Sequence, residues 1–507
     1  MAKLYGKILA ELRYLSRGEL VVKNASDFIG KYIGQSGGKT RKIFEEAQGN
    51  VLLIDEAYML NAKRNRDCPY RQEVIDTIVG EVQNKPGEDL CVIMCGYKNE
   101  MEDLIRDANP GLQRRFPIDE AFVFEDFDEE QLGKILDLKM QQQSLSTTKE
   151  GRAVAMAVLK LAKQRPNFGN GGEVDKIISR AISNFRKRFT KIPSDMRLAV
   201  SKEALLLEDD FDPEHLRSLH AEDEVDRQFG DLIGLDSQIN VFRQLARQVK
   251  AMTKHKLDPK PSTPFTFVIK GPPGCGKTTL ARKIGNLYYH MGLLATSEVV
   301  EVSAQDTLAG YTEQTATQTR ELIERALGKV LFIDEAYRLT AEARDELVDA
   351  LTKPHFAGKV VIILAGYESH MNITLKKNPG LSSRFRTHIQ FSDLSSRACT
   401  LLLKKRIEEY NVTAAFDEQK AAVEQMFESL STIDGWGNGR DVESLAREIV
   451  GRVFQNLADD DHPTASSVLV LDVMQDWHIR QGRYFVSPPR TPRITNMDGP
   501  RAEWRHS

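Results

Sequence analysis

The sequence predicts an α/β fold built twice in tandem, each copy a parallel sheet flanked by helices. Three observations carry that expectation. The apolar run NVLLIDEAYML, Asn50 to Leu60, returns almost letter for letter as KVLFIDEAYRL, Lys329 to Leu339. In the second copy a short buried-strand pattern, a glycine-rich turn and an amphipathic helix follow one another directly in FTFVIKGPPGCGKTTLARKIGNLYY, and that succession belongs to open α/β sheets. Finally, VLFI is wholly apolar before its acids, as expected of a strand covered on both faces.

The first element of each copy to justify is its extent. Aligning the chain with itself pairs Asp55 with Asp334, Tyr97 with Tyr367, Arg115 with Arg384 and Asn170 with Asn438. The spacing slips only by one short insertion in the first copy, near NAKRNRDCPYRQE, so this is a domain duplication and not a solenoid repeat. A chain of 507 residues exceeds one ordinary core in any case. We expect a first domain over 1–200 with a lid at about 125–200, an acidic linker over 201–226, a second core over 227–392 with its lid over 393–480, and a disordered tail over 481–507. The linker SKEALLLEDDFDPEHLRSLHAEDEVD reads as solvated with some helix. The tail SPPRTPRITNMDGPRAEWRHS is proline-rich and aperiodic.

Composition excludes several classes. With 41% hydrophobic and 28% charged residues the chain is globular and helix-rich. A net charge of -3 offers no global attraction to nucleic acid or anionic membrane. The basic cluster RKRFTK, Arg186 to Lys191, reads as a solvated helix end. Five cysteines fit neither a disulfide framework nor a zinc site, and Cys91 and Cys95 read as small buried strand residues. With no apolar run of about 18 residues and no signal-peptide core, we expect a cytoplasmic or nuclear protein with no membrane partner.

The chemistry lies in the second copy. Gly271, Pro272, Pro273, Gly274, Cys275, Gly276, Lys277 and Thr278 form G-x-x-x-x-G-K-T, followed by Thr279, between strand and helix. Glycines let backbone amides converge on phosphate oxygens, and the helix N-terminus adds positive potential. Lys277 is placed to reach the outer phosphates and Thr278 to ligate magnesium. Asp334 and Glu335 follow their strand to the carboxyl edge of the sheet, where ligands of open α/β folds bind. Asp334 suits the magnesium shell. Glu335 suits orienting and deprotonating an attacking water, since phosphoryl transfer to water needs positioning and charge stabilisation. ATP and Mg2+ are the expected ligands.

Projected back by the same spacing, the counterpart of the phosphate loop falls just before Met1, and MAKLYGKILAELRYLSRGELVVKN runs in register with Leu280 to Ser303. Asp55 and Glu56 therefore stand without a cradle, and this copy is not expected to hydrolyse ATP. Two readings are open: a degenerate domain kept for assembly, or a longer protein cut at a motif boundary, which the place of the cut favours.

GPPGCGKTTLARKIG, FIDEAYRL, ILAGY, NPGLSSRF and GNGRDVESL, in this order, resemble the CbxX/CfxQ type of AAA+ ATPase. The first copy does so through YIGQSGGKT, LIDEAYML, CGYKNEM and NPGLQRRF. The resemblance implies tandem AAA+ P-loop domains, each with a small helical lid, in a homo-oligomeric ring that is commonly hexameric and acts on a protein substrate. It implies that Arg384 is an arginine finger reaching a neighbour's ATP, with Arg386 nearby, and that Arg440 is the lid arginine that contacts nucleotide. Gly172 stands at the matching place in the first copy, which weakens that site independently. Tyr367 replaces the polar residue that many relatives use to sense the γ-phosphate. Tyr32, Ile33 and Gly34 resemble a substrate-gripping pore triplet, of which the second copy keeps Tyr311 but has Thr312 and Glu313. Tyrosine at such a turn serves packing equally well.

Overall fold

Strand β1 (Leu20–Asn24) pairs in parallel with β2 (Val51–Asp55), and β2 with β3 (Cys91–Met94), so the first copy has a three-stranded sheet. The computed structural model describes residues 1–191 except 33, 63–68 and 84–86, and residues 205–484 except 231, 233, 234, 256, 308–311 and 457–461. The chain divides into two compact units at Glu125 and Asp126. In the first unit, Leu52 and Ile54 of β2 point to one face, as alternation along a strand requires. There they pack with Phe28 and Phe44 and with Val74, Ile75 and Ile78 of the helix Pro69–Glu81. The segment after Phe116 does not join this sheet, and Phe122 and Phe124 are exposed. The described sheet has no counterpart of the strand that would pair with it.

The second unit opens with a helical lid. Helices Glu129–Gln142, Lys149–Ala162 and Gly171–Thr190 enclose Leu132, Leu136, Leu159, Ile177 and Ile178, and β4 (Ser146–Thr147) pairs with β5 (Leu205–Leu206). The expected linker over 201–226 needs correction at both its ends. Leu206 and Phe211 are fully buried in this lid, with Asp210 held between them by the Arg188 guanidinium at 2.6 Å and the Leu207 amide at 2.8 Å. Residues Ala221–Phe229 form a helix whose Ala221, Val225 and Phe229 belong to the second core. Acidic composition concealed an amphipathic pattern in which Asp210, Asp212, Glu222 and Asp226 are paired with arginines while Leu206, Phe211, Ala221 and Val225 face inward. The RKRFTK cluster is likewise a helix end, and Arg188 within it is engaged with Asp210 and lies over the Phe185 ring.

The second sheet is built from β6 (Thr266–Lys270), β7 (Val299–Ser303), β8 (Val330–Asp334), β9 (Val361–Gly366) and β10 (Thr387–Gln390), all parallel, in the order β10-β6-β9-β8-β7. Its apolar strands are buried on both sides. Phe267, Ile269, Phe332 and Ile363 enter one core with the helices Ala221–Phe229, Asp236–Lys254 and Lys277–His290. Val268, Leu331, Ile333 and Ile362 enter another with Leu347 and Met371 of the helices Ala341–Ala350 and Glu368–Lys377. This is the doubly covered parallel sheet that the wholly apolar run foretold. The second lid follows: helices Ser396–Glu408, Lys420–Ser431, Gly439–Gln455 and Ser467–Tyr484 around Leu403, Phe427, Leu445 and Ile449, with β11 (Thr413–Ala415) paired to β12 (Thr464–Ser466). Because that last helix runs to Tyr484, residues 481–484 are not tail. The tail beyond them, residues 63–68 of the insertion, Ile33 and Tyr311 lie outside the described residues.

Candidate functional site

At the carboxyl end of β6 the chain turns through Gly271–Gly276 into the helix Lys277–His290. Gly274 and Gly276 take φ of +69° and +94°, where a side chain is disfavoured. For Gly274 there is a second constraint: a Cβ there would lie 1.9 Å from the Gly437 carbonyl of the lid. Lys277 Nζ donates to the carbonyls of Gly271 at 3.1 Å and Pro272 at 2.7 Å. Cys275 is buried against the Pro272 carbonyl, and burial pushes its thiol pKa up. Thr278 is half-buried and Thr279 exposed, in the helix's first turn.

β8 brings Asp334 and Glu335 to the same edge, and the Gly271 amide donates to the Gly366 carbonyl at the end of β9. Asp334 Oδ1 accepts the Glu335 amide at 2.9 Å. Glu335 adopts a left-handed backbone with φ of 51°, and Glu56 in the first copy has the same value. Strain held identically in two copies marks a turn that the surroundings enforce. Its carboxylate accepts from the Tyr337 hydroxyl at 3.2 Å and pairs with Arg338 at 3.2 Å. Tyr337 stacks on His370 at 4.8 Å and meets Tyr367 at 6.0 Å, while the Tyr367 ring faces Lys277 Nζ at 5.9 Å. Tyr367 thus contacts the phosphate-loop lysine through its ring face, and the recurring Tyr after D-E-A, which the motif reading passed over, holds the glutamate.

The lid supplies two further parts. Arg440 is the second residue of the helix Gly439–Gln455 and is exposed. A cation in a helix's first turn opposes the helix dipole, a cost that an anion at the phosphate loop removes. Asn438, which the sequence used only as an alignment marker, is fully buried at φ 52°, ψ -124°. Its Oδ1 accepts the Leu394 amide at 2.9 Å, and its Nδ2 donates to Asp393 at 2.9 Å and to the Pro273 carbonyl at 3.2 Å. The adjacent Gly439 amide donates to the Gly274 carbonyl at 3.1 Å.

Arg384 is not brought to this site within the chain. It closes the helix Pro379–Arg384, and its guanidinium turns back to the Gly380 carbonyl at 3.2 Å. Arg386 is exposed and donates to the Ser383 carbonyl. In the first copy Asp55 and Glu56 are exposed. Cys95 Sγ lies 3.3 Å from Asp55, and burial, aided by that carboxylate, pushes its pKa up to about 11. Gly172 occupies the helix position of Arg440, and Asn170 repeats the Asn438 arrangement with Phe127 and Asp126. Arg115 donates to the Gly111 and Val82 carbonyls. Tyr32 is exposed.

The family described as ATPase family associated with various cellular activities (AAA) matches residues 5–122 and 267–393, and the AAA lid domain matches residues 128–221. Stage V sporulation protein K of Bacillus subtilis is 33% identical over 42% of this chain and 69% of that protein, and protein CbxX of Cupriavidus necator is 36% identical over 36% and 56%. The chain belongs to the AAA+ ATPases of the CbxX/CfxQ type. The ESX-1 secretion system protein EccA1 of Mycobacterium tuberculosis is also 36% identical to this AAA+ ATPase, over 45% of the chain, and the match spans only 42% of that longer relative. Among solved structures, a closed-state reconstruction of Hsp104 with ATPγS and FITC casein superposes with a TM-score of 0.46 at 13% identity, over 86% of this chain and 82% of that one. Among the described residues of the AAA+ chain no helix is long and apolar enough to cross a membrane.

Proposed function

We propose that this AAA+ ATPase hydrolyses ATP in its second copy, with magnesium, within a homo-oligomeric ring that remodels a protein partner. The observation that carries the reading is the convergence of Lys277, Asp334, Glu335 and the lid on one sheet edge. The donor set fits a nucleotide: left-handed glycines open the loop, and an exposed arginine stands at an adjoining helix N-terminus. Thr278 and Asp334 are the residues that would hold magnesium, which supplies charge neutralisation at the phosphates when bound.

Lys277 exchanges the loop carbonyls for phosphate oxygens. Glu335, released from Tyr337 and Arg338, orients the attacking water and takes its proton. Arg384 acts on the neighbouring subunit's nucleotide, which makes hydrolysis depend on assembly. The deciding experiment is ATP hydrolysis by the chain beside its Glu335→Gln variant over a range of protein concentration. Turnover that climbs cooperatively with concentration and vanishes in the variant supports the reading. Nucleotide binding without turnover at every concentration replaces it with a non-catalytic scaffold.

A further inference from the structure

The loop Gly271–Gly274 has four carbonyls, and each is tied by a donor. Lys277 Nζ takes those of Gly271 and Pro272, Asn438 Nδ2 that of Pro273, and the Gly439 amide that of Gly274. These four peptides differ in one respect. The first two end on Pro272 and Pro273, which carry no N–H. The next two end on Gly274 and Cys275, which do. No peptide among the described residues is cis, so the N–H of each planar unit here points opposite to its own carbonyl. The two carbonyls that the lid holds are therefore those whose partner amides are the first donors of the phosphate nest.

We propose that Asn438 and Gly439 are positioning residues of the phosphate site: by holding the Pro273 and Gly274 carbonyls, the lid aims the Gly274 and Cys275 amides at a nucleotide's phosphate oxygens. This rests on the reading of the second copy as an ATP site. The lysine is free to leave its two carbonyls for the ligand, because the peptides it releases have no donor to misdirect. The lid ties, in contrast, must persist while nucleotide is bound. Steric fit agrees, since a Cβ on Gly439 would come within 2.7 Å of the Gly274 carbonyl, and one on Gly274 would meet Gly437. The close backbone approach thus requires glycine on both sides. The buried, left-handed Asn438 holds a conformation that costs energy for any residue with a Cβ, and three side-chain hydrogen bonds offset it.

The test is ADP binding by calorimetry on the full chain, with Asn438→Gly and Asn170→Gly beside the wild type. Glycine accepts the left-handed backbone without strain, so the turn survives while the Pro273 tie is lost. The expected result is an ADP Kd about tenfold weaker for Asn438→Gly, at an unfolding midpoint lowered no more than in Asn170→Gly, which loses the matching lid hydrogen bonds yet binds like the wild type. An unchanged Kd in Asn438→Gly overturns the proposal. So does a weaker Kd accompanied by an unfolding midpoint far below that of Asn170→Gly, because that outcome is loss of the lid itself. Wild-type protein that binds no ADP overturns the underlying nucleotide reading, a failure distinct from wild type and variant binding alike.

Discussion

The Thr266 hydroxyl donates to the Arg384 carbonyl at 2.7 Å, which anchors the arginine at the amino end of β6. The phosphate loop leaves the opposite end of that strand, about 13 Å away by strand rise. An arginine placed there lies away from its own phosphate loop, which fits the proposed role on a second subunit's nucleotide. The expected outcome is that Arg384→Ala binds ATP normally but hydrolyses it at least about 10²-fold more slowly. Mixed with Glu335→Gln, it should regain turnover, because one subunit then supplies the base and its neighbour the guanidinium. Hydrolysis rates of the mixture measure this, and a mixture as inactive as its components removes Arg384 from that role.

Removing the loop lysine and removing the base should separate binding from chemistry. Lys277→Ala is expected to abolish nucleotide binding. Glu335→Gln keeps the shape and the contact with Tyr337, so binding should persist while turnover drops by roughly 10² or more. Calorimetry and phosphate release report the two quantities. Normal turnover in Glu335→Gln would transfer the base to another residue.

Glu56 shares the backbone conformation of Glu335, but no phosphate-loop motif accompanies it among the described residues. Glu56→Gln should leave steady-state turnover within about twofold of the parent, since an exposed surface carboxylate with no buried partner contributes little. A large loss in the same assay would bring the first copy into catalysis.

Lys260 provides a pH dependence. Its ammonium donates to the Gly358 carbonyl at 3.1 Å, and burial lowers its pKa from 10.5 to about 8, with Asp258 opposing the shift and Lys160 and Lys359 adding to it. The folded protein gives up this proton near pH 8, while the unfolded chain keeps it until about pH 10.5. Stability is therefore depressed below pH 8 and recovers between pH 8 and 10.5. Lys260→Met should unfold at a higher temperature than the parent at pH 7, and the gap should close as the pH rises through that window. Parallel melting curves across it would refute the shift.

Much of the second copy was legible from residue order alone. Strand, loop, helix and acid-bearing strand announce themselves through apolar runs and glycine spacing, because each is a local pattern with a local cause. The acidic stretch near Asp210 was misread for a related reason. Composition counts its carboxylates but does not show that Arg188 lies against one of them, or that Leu206 and Phe211 turn inward.

The sequence by itself determined the duplication, the parallel α/β architecture, the family and the chemical identity of Lys277, Thr278, Asp334 and Glu335. Tertiary structure alone decided that Tyr337 and Arg338 hold the glutamate, that Arg384 sits across the sheet from its own loop, and that Asn438 and Gly439 grip the loop's carbonyls. For Arg384, Asn438 and Gly439 the physical reason is that the contacts run between the main chain and groups far along the chain. Every residue carries the same carbonyl and nearly every one the same amide, so no spacing in the sequence marks which of them will meet.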